Sequence, residues 1–374
     1  MWPVKNAVRA DQDDAVAERL NIAHVERGEG ASLSRNVSIC IVSWNTREVL
    51  RNCLQSLYQW IAGVTFEIIV VDNASEDGSS EMIATDFPDV RLIRNEENYG
   101  FARGCNQGMS AARGRHYLLL NSDTWLTEDA VTRLSASLDA CPEAGAIGCL
   151  LRWPDGRIQP SCGWFPTVFG TLIQGLTPRA LFDKVLGTRG RFAPPFLSYR
   201  KHLKPLEVDW IVGACIMVRR ETVDQVGMID SDIFMFGEES EWCFRMKKAG
   251  WRVLYTPETQ VVHIGCASWN LGEGARVHAV LASQQFFFRK YFGRGSAARY
   301  RGAVLVNALV KSVIWRLLAM VWPSKRAMLS DVANWHRHAL TWCLRHPSGR
   351  MITADDIARG PRVAARSARG GTVL

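Results

Sequence analysis

The stretch from Tyr117 to Trp125, YLLLNSDTW, constrains the fold of this chain more than any other. An unbroken apolar run leads directly into Asn121, Ser122 and Asp123, and such a run is typical of a strand buried in a parallel sheet. Ligands of open α/β sheets bind beyond the carboxyl ends of the strands. We therefore expect Asp123 at the mouth of a site, although an acid here can also simply begin a turn or cap a helix from about Thr127.

Apolar runs alternate with helical spacing on the N-terminal side of this stretch. The predicted elements are a strand at Val37–Ser43, a helix at Thr46–Trp60, a strand at Phe66–Asp72, a short helix from near Gly78 and a strand at Val90–Arg94. This alternation predicts an α/β fold with a doubly wound, mostly parallel, Rossmann-like sheet. Asp72, like Asp123, follows an apolar run and should lie at a strand end.

Three glycines in GFARGCNQG are spaced four residues apart. Gly100, Gly104 and Gly108 should line one helix face and let it lie close to a strand or ligand. The pattern is not the GxGxxG dinucleotide fingerprint. The chain also lacks the GxxxxGK[ST] pattern of P-loop enzymes and the GxSxG elbow of α/β-hydrolases.

A strand predicted over Val208–Arg220 is interrupted by Gly213 and Ala214. Small residues inside a strand permit the close approach of a ligand, and a β-bulge explains them equally well. Residues 151–207, which precede this strand, are rich in Pro, Gly and aromatics and are typical of an inserted loop region over a site.

The next segment has the spacing of a helix, with Trp242 and Met246 on its apolar face. Glu238 and Glu239 lie at its predicted N-terminus, where their simplest role is to complement the helix dipole, worth about 0.3–1 kcal/mol each.

Two further strands are predicted at Trp251–Thr256 and Thr259–Gly265. The second presents His263, and a single histidine is more often a packed core residue than a ligand.

The basic excess of the chain lies entirely at its C-terminal end. Residues 289–374 hold 16 Lys plus Arg against 3 Asp plus Glu, a balance of +13, whereas the remainder holds 29 basic and 34 acidic residues. This imbalance predicts an anionic partner, either a membrane surface or a nucleic acid.

The segment Gly302–Trp322 is strongly apolar, but Lys311 and Arg316 leave no charge-free window of about 18 residues, which argues against a membrane span. Tryptophans interleaved with Arg and Lys favour a helix that lies in a membrane interface. The alternative is a helical subdomain that covers the sheet or forms a dimer contact.

The cysteines and the N-terminal sequence indicate in which cellular compartment the protein is expected. Ten cysteines are scattered without any CxxC pair, which argues against zinc ribbons and thioredoxin-like chemistry and suits a reducing cytosol. The acidic N-terminus has no apolar core segment, so it does not read as a secretory signal. We expect a flexible extension over residues 1–35, one α/β domain over 36–284 and a basic helical region over 285–374.

An ordered set of motifs resembles the family 2 glycosyltransferases with the GT-A fold. The matching motifs are IVSWN (Ile41–Asn45), VVDNASEDGS (Val70–Ser79), NYGFARGCN (Asn98–Asn106), LLLNSDT (Leu118–Thr124), GACIMVRR (Gly213–Arg220), EESEWCFR (Glu238–Arg245) and His263. Each motif alone is weak, but the ordered set is specific and covers roughly residues 37 to 268. Within the family, the chain looks most like bacterial rhamnosyl- and galactofuranosyltransferases that build cell-surface polysaccharides.

The resemblance implies a nucleotide-sugar site at the strand ends. Asp72 would accept a hydrogen bond from a uracil or thymine ring. Asp123, as the surviving acid of the DxD motif, would hold Mn²⁺ or Mg²⁺ against the donor diphosphate, with His263 as a further ligand. The other residues expected to bind the nucleotide sugar are Ser43, Asn45, Asn98 and Asn121.

The resemblance also implies a catalytic base at Glu239, with Glu238 as the neighbouring candidate. The chain departs from the family twice, because an amide residue replaces the first acid of DxD and because the base is a Glu where the family usually has Asp. Acceptor binding is expected at Trp210, Gly213 and Ala214.

These residues predict an inverting, metal-dependent glycosyltransferase with a UDP- or dTDP-sugar donor, rhamnose being one candidate sugar. It would extend a lipid-linked or polysaccharide acceptor, bind peripherally at the inner face of the cytoplasmic membrane and bind no nucleic acid. A sugar nucleotidyltransferase is the first alternative, but it would carry a Gly-rich basic loop where this chain has Trp44-Asn45-Thr46. A non-catalytic glycan- or nucleic-acid-binding protein would leave the strand-end acids unexplained.

Overall fold

A computed structural model describes residues 36–176, 202–265 and 272–345. By their contacts these residues form two compact units: the first comprises 36–163, 202–231 and 238–265, and the second comprises 164–176, 232–237 and 272–345. The predicted extension 1–35, the middle of the predicted loop region 151–207 and the end of the basic tail lie outside the described residues.

The first unit is built on a ten-stranded sheet. Its strands are β1 (Val37–Ser43), β2 (Phe66–Asp72), β3 (Arg91–Arg94), β4 (His116–Asn121), β5 (Thr124–Leu126), β6 (Ala144–Arg152), β7 (Ile158–Gln159), β9 (Leu206–Glu207), β11 (Cys215–Arg219) and β12 (Arg252–His263), while β8 (Cys162–Gly163) and β10 (Trp210–Ile211) pair separately. Its helices are α1 (Arg47–Trp60), α2 (Ser79–Asp86), α3 (Phe101–Ala111), α4 (Ala130–Ala140), α6 (Arg220–Val226) and α7 (Glu238–Lys248).

The main path of the sheet runs β3-β2-β1-β4-β11-β6-β12-β5. The first four strands are mutually parallel, whereas β11 is antiparallel to both β4 and β6. The sheet is therefore mostly parallel and mixed, which confirms the predicted α/β class. Its strands β1, β2 and β4 are almost wholly buried because helices cover them, as their continuous apolar runs require.

Two details of strand prediction need correction. The predicted strand Val208–Arg220 is two strands, because the chain leaves the small β8–β10 sheet after Ile211 and enters the main sheet at Cys215. The two strands expected within residues 251–265 are one long strand, β12, with an irregularity between Thr256 and Gln260.

The register of the parallel strands aligns their carboxyl ends. Ser43 at the end of β1 pairs with Asp72 at the end of β2, and Val42 pairs with Asn121 at the end of β4. Polar residues that follow three separate apolar runs therefore meet at one edge of the sheet, where ligands of such folds bind.

The glycine face of α3 lies against β1, as its spacing predicts. A Cβ atom at Gly104 would lie 2.8 Å from Val42 Cγ1, and one at Gly108 would lie 3.0 Å from Cys40 Cβ. Larger side chains would push this helix away from the strand whose end borders the site.

The second unit consists of α5 (Val168–Leu176), α8 (Gly272–Val321), a short 3-10 turn (Pro323–Lys325) and α9 (Arg326–Arg345). α8 is two helices joined at Gly293, whose φ of 79° breaks the helical path. Its core is formed by residues of α8 and α9, among them Tyr300, Val304, Ala308, Ala339 and Trp342. The predicted boundary near Gln284 falls inside α8.

Candidate active site

Asp123 and His263 meet at the carboxyl edge of the sheet. Asp123 lies in the turn between β4 and β5, and its backbone carbonyl accepts a hydrogen bond from the N–H of Ile264, which follows β12. With this hydrogen bond in place, His263 Nε2 lies 3.2 Å from Asp123 Oδ1 and 3.3 Å from Asn121 Nδ2. The residues Asp123 and His263 are 3% and 7% exposed, so both groups are largely removed from water.

The other ring nitrogen of His263 contacts Gln159, on the two-residue strand β7. His263 Nδ1 lies 2.9 Å from Gln159 Oε1. Since an amide oxygen only accepts hydrogen bonds, Nδ1 donates to Gln159, and this bond orients the ring with Nε2 towards Asp123.

The facing atoms of Asp123 and His263 are a carboxylate oxygen and an imidazole nitrogen, both of which are of types that bind divalent cations. Adjacent ligands of an octahedral cation with bonds of about 2.1 Å lie about 3 Å apart, close to the separation seen here. A divalent cation therefore fits this pair. Among the described residues no group of three or more His, Cys, Asp or Glu is placed to hold a metal, so water and phosphate oxygens would have to supply the remaining ligands.

Gly213 and Ala214 connect this pair to the acidic N-terminus of α7. The N–H of Asn121 donates to the carbonyl of Ala214 at 3.0 Å. On the other side, a Cβ at Gly213 would lie 3.8 Å from Glu239 Cβ and 3.4 Å from Phe101 Cε1. The segment predicted to bind the acceptor thus borders both the cation-compatible pair and Glu239.

Glu238 and Glu239 differ in burial and in protonation. Glu238 is buried, and its Oε2 has no hydrogen-bond partner among the described residues, whereas Glu239 is partly exposed. Burial, the charge of Glu239 and a hydrogen bond with the Glu239 carboxyl group raise the pKa of Glu238 well above its usual range. Glu238 is accordingly the neutral member of the pair, and Glu239 is the carboxylate available to accept a proton.

The carboxylate of Asp72 accepts hydrogen bonds from the residues that follow β2. Its carboxylate accepts hydrogen bonds from the Ser75 hydroxyl at 2.5 Å, the Ser80 hydroxyl at 2.7 Å and the Ser75 N–H at 3.3 Å. These bonds fix the loop after β2. A base-recognition role for Asp72 stays a prediction; these three bonds leave about one of the four acceptor sites of the carboxylate for a ligand.

The other predicted nucleotide-sugar residues stabilise neighbouring loops. Asn45, at φ 51°, accepts from the Glu76 N–H through its side chain, and its own N–H donates to the Ser75 hydroxyl. Ser43 is buried and bonds to Thr46, which donates to Ser122.

Asn98 Oδ1 accepts from Asn73 Nδ2 and from the Gly100 N–H. Trp210 is buried on β10, where it pairs with Gly163. The binding roles predicted for these residues and for Ser43 and Asn45 remain predictions.

Sequence reasoning missed Gln159 and the two serines that bond to Asp72. Gln159 lies in an irregular region where no periodicity marks it, and only the fold brings it beside His263. Ser75 and Ser80 lie within or next to the motif Val70–Ser79, so a search for hydroxyl donors just after a strand-end acid could have found them.

A model of the glycosyl transferase family 2 domain matches residues 38–227. The match includes Asp72, Asp123 and Gly213 but ends before Glu239 and His263. The roles of those two residues therefore depend on the resemblance of the motifs and on the geometry described above.

The chain is similar to two curated proteins whose names refer to rhamnosyl transfer and to O-antigen biosynthesis. The chain is 30% identical over 210 residues to an N-acetylglucosaminyl-diphospho-decaprenol L-rhamnosyltransferase of Mycobacterium tuberculosis, covering 52% of this chain and 66% of that protein, just under two thirds. It is 26% identical over 236 residues to the O-antigen biosynthesis protein RfbC of Myxococcus xanthus, covering 62% of this chain and 17% of that protein.

Two solved structures share the fold. The mannosyltransferase PcManGT of Pyrobaculum calidifontis, solved with GDP-Man and Mn²⁺, superimposes with a TM-score of 0.53 at 15% identity over 90% of this chain and 95% of that chain. GalNAc-T7, solved with UDP, GalNAc and Mn²⁺, gives a TM-score of 0.51 at 16% identity over 84% of this chain and 57% of that chain.

Proposed function

The chain belongs to glycosyl transferase family 2, and on that premise we propose that it moves a sugar from a UDP- or dTDP-sugar to a hydroxyl group of a lipid-linked or polysaccharide acceptor. One observation carries the proposal: the cation-compatible pair Asp123 and His263 and the carboxylate of Glu239 both border the segment Gly213–Ala214. Leaving-group stabilisation and proton removal are the two tasks of this reaction.

Asp123 and His263 would hold Mn²⁺ or Mg²⁺ on the leaving-group side. When bound, such a cation neutralises the charge that develops on the departing nucleoside diphosphate. Asp123 supplies a negative charge and His263 a neutral nitrogen, a donor set that suits Mn²⁺ and also accepts Mg²⁺. The Mn²⁺ and nucleotides in the two structural neighbours support this part of the proposal.

Glu239 would take the proton from the acceptor hydroxyl. Its neighbour Glu238 holds a proton of its own and bonds to the Glu239 carboxyl group, which keeps that carboxylate oriented. A helix N-terminus further stabilises the ionised form of Glu239. A single displacement assisted by a single base inverts the configuration of the anomeric carbon.

The names of two relatives support a choice of donor sugar and acceptor. The name of the Mycobacterium tuberculosis protein states transfer of L-rhamnose to an N-acetylglucosaminyl-diphospho-decaprenol, and that of the Myxococcus protein states O-antigen biosynthesis. They support rhamnose as the sugar transferred and a polyprenyl diphosphate-linked glycan as the acceptor, with UDP and dTDP both retained as the nucleotide.

The test is a donor panel. The chain is incubated with UDP- and dTDP-sugars, dTDP-rhamnose among them, with Mn²⁺ and a polyprenyl diphosphate-linked N-acetylglucosamine. We expect mass spectrometry to detect the acceptor extended by one sugar and NMR to show an inverted anomeric linkage. Release of pyrophosphate from a nucleoside triphosphate and a sugar phosphate would instead support a nucleotidyltransferase, and turnover of no donor would refute the proposal.

A lipid-linked acceptor would bring the enzyme to a membrane surface, and one face of α8 suits that location. Side chains spaced three or four residues apart form an exposed apolar stripe about 21 Å long. The members of the stripe are Val306, Leu309, Val313, Leu317 and Met320. The opposite face of this helix segment packs in the core of the second unit.

The two charges that interrupt this segment in the sequence do not interrupt the stripe equally. Lys311 lies about 160° around the helix from Val313. Burial lowers the pKa of His336 on α9, and the charge of Lys311 lowers it further. Lys311 therefore faces α9, and only Arg316 lies at the margin of the stripe. Residues 274–345 contain 12 Lys plus Arg and one acid, a balance that complements anionic lipid.

By length and composition, the helix Glu273–Val321 could also cross a membrane, although the sequence argued against a span. We propose the in-plane orientation, because the other face of the segment is packed against α9, whose charged residues a span would carry into lipid. Full-length protein should sediment with anionic liposomes and be released by high salt or alkaline carbonate.

The matched control for the stripe is an apolar residue elsewhere in the same unit. Replacing Val313 and Leu317 with Glu should abolish sedimentation, whereas Leu344→Glu, an exposed position on α9, should not. Equal sedimentation of all three proteins would contradict the assignment of the stripe, and resistance to carbonate would indicate a spanning helix.

A further inference from the structure

We propose that a groove between α1 and β5, outside the candidate active site, binds the neutral sugar units of a glycan. We call it the α1–β5 groove. The residues that line it are Asn52, Gln55, Ser56 and Gln59 of α1 and Trp125 and Leu126 of β5. Binding of a free saccharide there needs neither the donor nor the cation of the proposed function, so the site can be tested separately from the transfer reaction.

Hydrogen bonds join the two walls of the α1–β5 groove. The Ser56 hydroxyl donates to the Cys53 carbonyl at 2.7 Å and accepts from the Leu126 N–H at 3.0 Å. β5 is the last strand on the main path of the sheet, and the second bond holds it against α1. The groove has a volume of about 280 Å³. This volume is close to the lower end of small-molecule sites, about 300 Å³, and suits part of an oligosaccharide.

The lining of the α1–β5 groove carries no charge. Residues 52–66, which include all of its α1 residues, contain no Asp, Glu, Lys or Arg, although charged residues make up 22% of the chain. A helix face that only contacts water usually carries charged residues. A site for a phosphate or an acidic glycan would need Arg or Lys. The groove therefore suits a neutral ligand.

The polar groups of the groove match the hydroxyl groups of a sugar. Asn52, Gln55 and Gln59 are exposed and lie three and four residues apart, so their amides follow one another along α1 over about 10.5 Å. Each amide offers two N–H donors and one acceptor oxygen, and a sugar hydroxyl both donates and accepts. Trp125 is partly exposed, and its indole supplies an apolar surface for the C–H face of a pyranose ring. Amides and an indole without charge are the chemistry that recognises a neutral saccharide.

One end of the groove lies beside the strand ends of the candidate active site. Cys53 Sγ, next to Asn52 in the chain, lies 3.8 Å from the Asn121 carbonyl oxygen at the end of β4. Trp125 follows Asp123 by two residues, so their Cα atoms are at most about 7 Å apart. The later residues of α1 lie progressively farther from the end of β1. The groove therefore suits a glycan chain that extends from the strand ends along α1.

The first test measures the binding of neutral oligosaccharides to the full-length protein by saturation-transfer NMR, without nucleotide or metal. The probes are short oligosaccharides of rhamnose and N-acetylglucosamine. Trp125→Ala should weaken binding by about tenfold or more, because a tryptophan in a binding site commonly contributes a large share of the affinity. The double variant Gln55→Leu and Gln59→Leu should also weaken it, since leucine cannot pair with hydroxyl groups. Trp322→Ala, at an exposed tryptophan of the second unit, is the control and should bind as the wild type does.

Two results would overturn the proposal. One is a wild type that binds none of the oligosaccharides, as expected of a face that only contacts water or a polypeptide. The other is unchanged binding in both groove variants. Circular dichroism melts show whether each variant keeps its fold, and the exposed positions Gln55 and Gln59 keep the test decisive if Trp125→Ala destabilises β5.

A second test uses the proposed transfer reaction and two acceptors, one with a single sugar and one with an oligosaccharide. Trp125→Ala should raise KM for the longer acceptor by about tenfold with little change in kcat, because it removes binding that does not depend on the transition state. Both constants should stay near the wild-type values for the shorter acceptor. An equal effect on both acceptors would contradict the assignment of the groove to the acceptor glycan. Oligosaccharide binding by a protein that turns over no donor would support the groove and refute the proposed transfer.

Discussion

The pair Asp123 and His263 and the pair Glu238 and Glu239 differ in the chemistry of their facing groups. At the sheet edge, a carboxylate oxygen and an imidazole nitrogen, two potential ligands of a cation, lie 3.2 Å apart. At the N-terminus of α7, two carboxyl groups share a hydrogen bond, and burial keeps the proton on Glu238. The first pair offers two potential ligands to a cation, and the second carries a proton on its buried member.

This difference separates two chemical tasks. A carboxylate beside an imidazole can hold a divalent cation and so suits the stabilisation of a departing diphosphate. A carboxylate that is hydrogen-bonded by a neutral acid keeps its own charge and so suits proton removal. The Gly213–Ala214 segment contacts both regions, which is where an acceptor hydroxyl would have to lie.

The largest expected effect comes from Glu239→Gln, which removes the base and keeps the shape of the side chain. Transfer should fall by roughly 10²–10⁴-fold, the usual contribution of general-base catalysis. The affinity for UDP or dTDP should change little, because other residues are proposed to hold the nucleotide. Initial rates and nucleotide titrations of the purified variant measure both quantities.

Glu238→Gln is the matched control for the base. A glutamine amide can still donate a hydrogen bond to Glu239, so turnover should remain within about tenfold of the wild type. If Glu238→Gln abolishes transfer while Glu239→Gln does not, the base has been misassigned by one residue. If neither variant loses turnover, the proposed mechanism is wrong.

Asp72 is a third carboxylate, at the carboxyl edge of the sheet, and it accepts hydrogen bonds from the hydroxyl groups of Ser75 and Ser80. Asp72→Asn should lower the free energy of unfolding by about 1.5–3 kcal/mol, because hydrogen bonds to a charged acceptor are lost. It should also weaken UDP and dTDP binding if the predicted base contact forms. Urea denaturation and nucleotide titration measure the two effects, and unchanged nucleotide affinity would remove Asp72 from the binding site.

The smallest effect concerns the proton on Glu238 and appears in stability. A carboxyl group whose folded-state pKa is raised costs stability as the pH rises above its unfolded pKa, since only the unfolded chain ionises freely. Glu238→Gln should therefore melt near the wild type at pH 4 and above it at pH 8. A melting-temperature difference that does not grow with pH would contradict the neutral state of Glu238.

The strand ends could be predicted from sequence because continuous apolar runs mark buried parallel strands, and the register then brings Ser43, Asp72 and Asn121 to one edge. The helix that carries Glu238 and Glu239 was equally predictable from its spacing. The unequal protonation of that pair was not, because it depends on which side chain the fold buries.

Other features depend on contacts between residues distant in sequence. Gln159 reaches His263 across 104 positions, on a strand of two residues that shows no periodicity. The orientation of Lys311 also required the structure, because a residue count shows a charge inside an apolar segment but not that α9 lies against it. Sequence patterns indicate elements and their ends, whereas proton positions and the facing of single charges follow from tertiary packing.

Mn²⁺ binding by Asp123→Asn, followed by electron paramagnetic resonance at saturating UDP, tests the central claim most directly. The wild type should bind Mn²⁺, and the variant should bind it at least about 100-fold more weakly, since even outer-shell partners are worth roughly 10–100-fold. Asp72→Asn, at a nucleotide concentration that saturates it, should bind Mn²⁺ as the wild type does. Equal Mn²⁺ affinity in the wild type and Asp123→Asn would contradict the assignment of a cation to the pair Asp123 and His263.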